Sequence, residues 1–453
     1  MNPFMVTAVN VALPLVAREL ALDTVALGWV TTVYLTATVV FIVPCGRLAD
    51  IYGRRRLFLI GVVGYIVSSL LCALAPSAEM LIGFRALQGV SNALVAGTSM
   101  ALLTTVYPTS ERGFVLGLYV TAVYSGQTVG PFIGGTLAQT LGWRSIFATT
   151  ALVGLVVLAL SLWKLRTELV GAQGERFDLG GSLIYAVTVV ALLSGFSLVP
   201  QGLGYGLALA GVVGIAAFVW WEKQVGSPLV DVDLFHRNRV FGLSLLAALL
   251  AYSATFAVSF VLSLYLQIAK GISPQAAGSI LLFQPIMQAV VSPFAGRLSD
   301  RMEPRFVAAG GMAIITTGLA MLATLHEDTP LPFIVGSLML LGLGFGLFSS
   351  PNQNAIMSAV ERRSYGVASS LVGAGRVAGQ ALSMALVSLI FALLVGRVQL
   401  THDVVDPFLR GSRIAFVIFA ALCLTNVVIS LARGNLRQAG SGEPVGSEGG
   451  RAH

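Results

Sequence analysis

Two arginines and one charged turn are the residues in this sequence whose types and settings could do chemistry. Arg85 and Arg376 both fall inside long apolar runs, where a guanidinium is costly unless it faces a cavity or a partner. Gln88 follows Arg85 by one helical turn and shares its face. Arg85 therefore suits substrate contact or coupling; the competing reading is an arginine bonded to the carbonyls of a broken helix. The turn runs Gly46-Arg47-Leu48-Ala49-Asp50-Ile51-Tyr52-Gly53-Arg54-Arg55-Arg56, and a degraded copy, Gly296-Arg297-Leu298-Ser299-Asp300-Arg301, recurs half a chain later. Such a repeat points to two related halves. Gly46 and Gly53 allow a tight turn, and Asp50 could accept from Arg112 in the next loop on that side or cap a helix N-terminus. If those contacts form only when the halves close, the turn is a latch. The plainer reading is that Arg54, Arg55 and Arg56 anchor topology.

The elements that position these residues are membrane spans. Of 453 residues, 56% are hydrophobic and 10% charged, against about a quarter charged in soluble domains. Fourteen runs have the roughly 20 mostly apolar residues a span needs, the first at 3–20 and the last at 411–433. The first contains Pro3 and Pro14, starts almost at Met1 and reads as a short, uncleaved signal anchor. With both termini in the cytoplasm, inner segments carry roughly 19 basic residues and outer ones roughly 6, so basic residues lie inside. The expected organisation is a six-helix bundle over 1–163, a linker with two extra helices over 164–239, a second six-helix bundle over 240–433 and a disordered cytoplasmic tail over 434–453.

Several function classes fall away. The arginines sit between spans rather than on a basic face with interleaved aromatics, so nucleic acid is not a partner. Cys45, Cys72 and Cys423 are odd in number and lack ligand spacing, and the four histidines fall in loops or the tail. No metal or cofactor is expected, and no nucleophile or phosphate loop supports an enzyme. The partners are then the lipid bilayer and a small-molecule substrate.

Three strings carry a family resemblance. The opening turn, Leu81-x-x-x-Arg85-x-x-Gln88-Gly89, and Gly126-x-x-x-Gly130-Pro131-x-x-Gly134-Gly135 together resemble the major facilitator superfamily, specifically its fourteen-helix drug:proton antiporter group. Gly142-Trp143-Arg144, Phe177-Asp178-x-x-Gly181, Pro228-Leu229-Val230-Asp231 and the region from Ser350 to Gly379 favour fourteen helices over twelve. The resemblance covers nearly the whole chain. It implies a monomeric exporter in the bacterial cytoplasmic membrane, using protons as coupling ion, with adaptor proteins as conceivable partners. It also implies that the Gly126 to Gly135 string packs the fifth helix against the opposite half and seals the pathway. For Arg376 it leaves two roles open, substrate contact or a structural bond to neighbouring helices.

One departure stands out. Relatives usually carry an aspartate a few residues before an Asn-Val-Ala-Leu-Pro string, here Asn10 to Pro14, and that place holds Met5. All 20 acidic residues fall in loops, the tail or helix ends, so no carboxylate is set to carry a proton through the membrane. What remains for a pathway is Asn10, Thr31, Gln88, Asn92, Gln127, Gln284, Gln288, Asn352, Gln353, Asn354 and Gln380, with Tyr34, Tyr124, Phe256, Phe260 and Phe283 as an apolar wall. That inventory suits neutral or anionic amphiphiles better than cations. The expected function is proton-coupled efflux of amphiphilic drugs; the alternatives are export of an endogenous neutral or anionic metabolite or lipid precursor, and a transport-dead membrane sensor or partner protein.

Overall fold

A computed structural model describes residues 2–106, 112–165, 176–198, 202–226, 228–230, 238–359, 365–396 and 404–433. The first eight helices are α1 (Asn2–Glu19), α2 (Thr24–Tyr52), α3 (Arg54–Ala73), α4 (Ala78–Val106), α5 (Arg112–Thr140), α6 (Arg144–Lys164), α7 (Leu179–Leu198) and α8 (Gly202–Glu222). Then come α9 (Arg239–Leu264), which continues into a π turn over Tyr265–Ala269, α10 (Pro274–Leu281), α11 (Phe283–Arg301), α12 (Pro304–Leu322), α13 (Leu331–Ser358), α14 (Tyr365–Leu394) and α15 (Val405–Ala432). Eleven described elements combine span length with high mean hydropathy, α10 and α11 counting as one. With α1, α4 and α5 the chain is an all-α, multi-pass membrane protein. α10 and α11 interrupt what reads in sequence as one span, because Pro285 lacks the N–H that would bond Leu281 O and so breaks the ladder at Leu282.

The same pairing pattern occurs twice. α1 packs on α5, α2 and α3 on α4, and α3 on α6; in the second half α9 packs on α14, α11 and α12 on α13, and α12 on α15. Two seams join the bundles, α2 against α14 and α5 against α10. The inserted hairpin of α7 and α8 leans on the first seam, with α7 touching both α2 and α14. Lipid is as apolar as leucine, so packing in these bundles depends on close approach of small residues rather than on hydrophobic burial between helices. Gly311 of α12 and Gly344 of α13 show this: a Cβ added to either would lie 2.5 Å from the other's carbonyl oxygen.

The charged turn is more helical than its composition suggests. α2 runs through Asp50 to Tyr52 and α3 starts at Arg54, so Gly53 alone makes the corner, with φ 111° and its N–H bonded to Ala49 O at 3.0 Å. Only glycine adopts that φ without strain. Its degraded copy closes α11 at the same end of the molecule, called here the basic end.

Candidate functional site

Halfway along the spans, α1, α5, α9, α10, α11, α13 and α14 enclose a cavity of about 650 Å³ counted to its open mouth. Asn10, Gln127, Gln284, Gln288 and Gln380 supply amides to it, and Thr7, Thr255 and Ser259 supply hydroxyls. Tyr252, Phe256 and Phe345 form its aromatic wall. Among the described residues, no ionisable side chain apart from Tyr252 lines it. Its lining pairs an apolar wall with a few placed polar groups, as small-molecule sites do. Of these residues, Thr7, Tyr252, Thr255, Ser259 and Phe345 were not singled out from sequence. The signal was available: 252, 255, 256 and 259 follow the three-and-four spacing of one helix face.

Pro131 helps shape the floor. As a proline inside α5 it leaves Gln127 O without its usual helical donor, and the Thr7 hydroxyl approaches that oxygen at 3.4 Å while also reaching Pro3 O and Phe4 O at 3.1 Å. The glycine string divides its duties. Gly126, Gly130 and Gly134 press on α1 of the same bundle, where a Cβ at Gly134 would lie 2.5 Å from Ala8 Cα. Gly135 faces the opposite bundle, where a Cβ would lie 2.5 Å from Pro274 O; Gly278 of α10 abuts Pro131 O in return. Most of the string is thus an α1–α5 contact, a finding the family pattern did not anticipate.

This packing closes the end of the cavity away from the basic end. At the same end Gln275 N donates to Gln139 Oε1 at 3.2 Å and Gln267 Nε2 donates to Val11 O at 2.9 Å, both across the bundles. Gln267 sits in the π turn, which reaims its side chain toward α1. Glu19 accepts from Trp143 Nε1 at 2.7 Å and from Arg144, whose Nη2 also donates to Ala75 O at 3.1 Å. The Gly142-Trp143-Arg144 string therefore ties α1, α6 and the α3–α4 connection together.

Arg85 does not line the cavity. It is fully buried inside the first bundle, with Nε donating to Val30 O at 3.0 Å and Nη1 donating to Gln88 Oε1 at 2.7 Å and meeting Met5 Sδ at 3.2 Å. Its guanidinium lies 4.2 Å from the Tyr34 ring centroid, a cation–π contact. Gln88 in turn donates to Ser69 Oγ at 2.7 Å. Nη2 has no partner among the described residues. The carbonyl reading of Arg85 is therefore partly met, but one amide, a thioether and a ring also serve it, and the thioether is that of Met5, where the family resemblance implies a carboxylate.

Other pathway candidates turn out to hold helices together. Asn92 reaches Thr38 Oγ1 at 3.4 Å between α4 and α2, and Thr31 donates to Asn10 Oδ1 at 3.2 Å. Asn352 donates to Ser244 O at 3.1 Å and accepts from Arg433, which is buried to 2% exposure and reaches Ser244 Oγ at 3.1 Å. Arg433, at the end of the last span, is the buried clamp of α9, α13 and α15. Phe260 stacks in the core with Phe391, Phe283 is exposed, Gln353 lies off the cavity and Asn354 is exposed. Arg376 is half-buried on α14, four residues from Gln380.

At the basic end Asp50 accepts from Arg54 Nε at 2.7 Å across the Gly53 corner. The side chains of Arg112 and Tyr124 lie outside the described residues, so the proposed Asp50–Arg112 contact does too. Gly46 sits 3.8 Å, measured to an added Cβ, from Gly97 O of α4. Arg55 Nε donates to Leu165 O at the end of α6, where helix carbonyls lack partners and a cation is favoured. The insert is pinned nearby: Asp178 accepts from Gly181 N at 2.9 Å and from Trp221 Nε1 at 3.1 Å, while Glu222 accepts from Val230 N at 2.9 Å. A side chain at Gly181 would collide with both carboxylates. No group of metal-ligating residues occurs among the described residues.

The Major Facilitator Superfamily model matches residues 1–231 and 244–452, leaving out only a short stretch between the halves. The chain belongs to the Major Facilitator Superfamily. Within that superfamily it is 33% identical to multidrug resistance protein Stp of Mycobacterium tuberculosis, over 89% of this chain and 76% of that one. It is 31% identical to the puromycin resistance protein pur8 of Streptomyces alboniger, over 94% and 87%. A bacterial homologue of the human lysosomal transporter Spinster, solved inward-facing and unoccupied, superposes with TM-score 0.69 at 14% identity, over 95% of this chain and 94% of that one. That likeness speaks to the fold. The chain is accordingly a superfamily transporter and not an enzyme.

Proposed function

We propose that this transporter exports amphiphilic small molecules of the drug and antibiotic kind, taking neutral or anionic compounds in preference to cations. The observation that carries this reading is the cavity between the bundles, whose amides, hydroxyls and aromatic rings include no carboxylate to hold a cation. Drug-resistance relatives at about this level of identity support the efflux direction. The basic end faces the cytoplasm, since arginines are retained there, so the open mouth loads from inside. Alternating access follows from the two repeated bundles rocking about the cavity, with the Asp50–Arg54 corner and Arg112 gating the basic end and the Gly126 to Gly135 string sealing the other. The energy source is the proton gradient, on the strength of the antiporter string.

The test is efflux from a pump-deficient host expressing the chain, with uncharged, anionic and permanently cationic aromatic compounds compared at matched hydrophobicity. Uncharged and anionic compounds are expected to be extruded and ethidium is not. Ethidium efflux equal to the others would overturn the substrate class. Efflux that persists after an uncoupler collapses the proton gradient would remove the proposed coupling.

A further inference from the structure

Of the arginines that the described spans bury wholly or half, Arg376 differs from Arg85 and Arg433. Arg85 and Arg433 are each buried and bonded to several helices, whereas Arg376 is half-buried and makes no hydrogen bond or ion pair among the described residues. An arginine within a span and without partners must face water or a ligand rather than lipid. Its helix runs between α2, α4 and α9, inside the molecule. Gly373, Arg376 and Gln380 follow the three-and-four spacing of one face of α14, and Gln380 lines the cavity. A Cβ added at Gly373, one turn before Arg376 on the same face, would meet no described atom within 4 Å, so the helix surface there is not packed against a neighbouring described helix. One helical turn from the amide-lined cavity, on its basic-end side, there is thus a half-buried guanidinium with no hydrogen-bond partner among the described residues. No carboxylate of the described protein is near enough to bond it.

We infer that Arg376 forms an anion subsite at the mouth of the cavity, which binds the carboxylate of an amphiphilic aromatic acid whose uncharged body lies among Gln284, Gln380 and the Tyr252 and Phe256 rings. This rests on the exporter reading above and makes weak acids the preferred members of its substrate range. A guanidinium binds carboxylate through two parallel N–H donors, which gives orientation as well as attraction. Arg85, behind the Tyr34 ring in the first bundle, adds positive potential on the same side and no competing anion.

The test uses the purified full chain in detergent and two fluorescent probes of one shape, anthracene-2-carboxylate and anthracene-2-carboxamide. The wild type is expected to bind the carboxylate about tenfold more tightly than the amide. Arg376→Gln is expected to erase that ratio and Arg376→Lys to keep part of it, with a thermal melt showing each variant folded. Equal wild-type affinities, or a carboxylate preference that survives in Arg376→Gln, would overturn the subsite while leaving the exporter reading intact. Binding of neither probe would count against both the subsite and the substrate class.

Discussion

Met5 and Arg85 meet inside the first bundle, at the place where the family resemblance implies a carboxylate. The guanidinium is held by one carbonyl, one amide oxygen, one ring and a thioether, all neutral, so its charge is solvated by the protein rather than neutralised. Replacing Met5 by aspartate would set a carboxylate against Nη1. A buried pair formed in this way is stabilised only while both partners remain, so Met5→Asp should be tolerated with Arg85 and destabilising with Arg85→Ala. A double-mutant cycle on thermal unfolding in detergent is expected to show coupling of about 1–3 kcal/mol; additive effects would mean the two side chains do not meet. Arg85→Lys alone should lower the melting temperature, because an ammonium cannot make the forked contacts or lie flat on Tyr34. The sequence marks Arg85 plainly, since an arginine in an apolar run is rare. It could not say that Asn352 serves Arg433, because the clamp joins residues 81 positions apart, beyond any local spacing rule.

Among the helices, α5 is the one whose sequence and packing explain each other best. Proline and four glycines in one short stretch are legible as a bend with close approach, but which neighbour they approach is not, and three of the four glycines proved to face α1. Gly134→Val should clash with the Ala8 backbone and lower the unfolding midpoint, by the roughly 1–3 kcal/mol typical of overpacking; an unchanged midpoint would contradict the contact. The α9 face at 252, 255, 256 and 259 was readable by period. The π turn after it was not, because nothing in Tyr265–Ala269 signals an extra residue per turn. The inserted hairpin gives a cleaner case. Asp178→Ala removes a helix cap and the Trp221 bond together, at a cost of about 1–2 kcal/mol, and should raise amide hydrogen exchange in α7 while leaving α12 unchanged.

For the molecule as a whole, the charged turn recurs half a chain later, and a matching pattern of helix pairing recurs with it. Span number and approximate limits came from hydropathy alone, since a bilayer demands unbroken apolar length. The seams did not, because they depend on which faces meet across the bundles. If the cavity works by movement of one bundle on the other, the contact between Gln139 and Gln275 at the closed end offers a direct handle. The native cysteines Cys45, Cys72 and Cys423 are buried, so introduced thiols can be crosslinked with little background. With Gln139→Cys and Gln275→Cys combined, oxidation to the disulfide should stop efflux of an uncharged aromatic substrate, and reduction should restore it. Efflux that continues at the wild-type rate with the disulfide fully formed would contradict that movement.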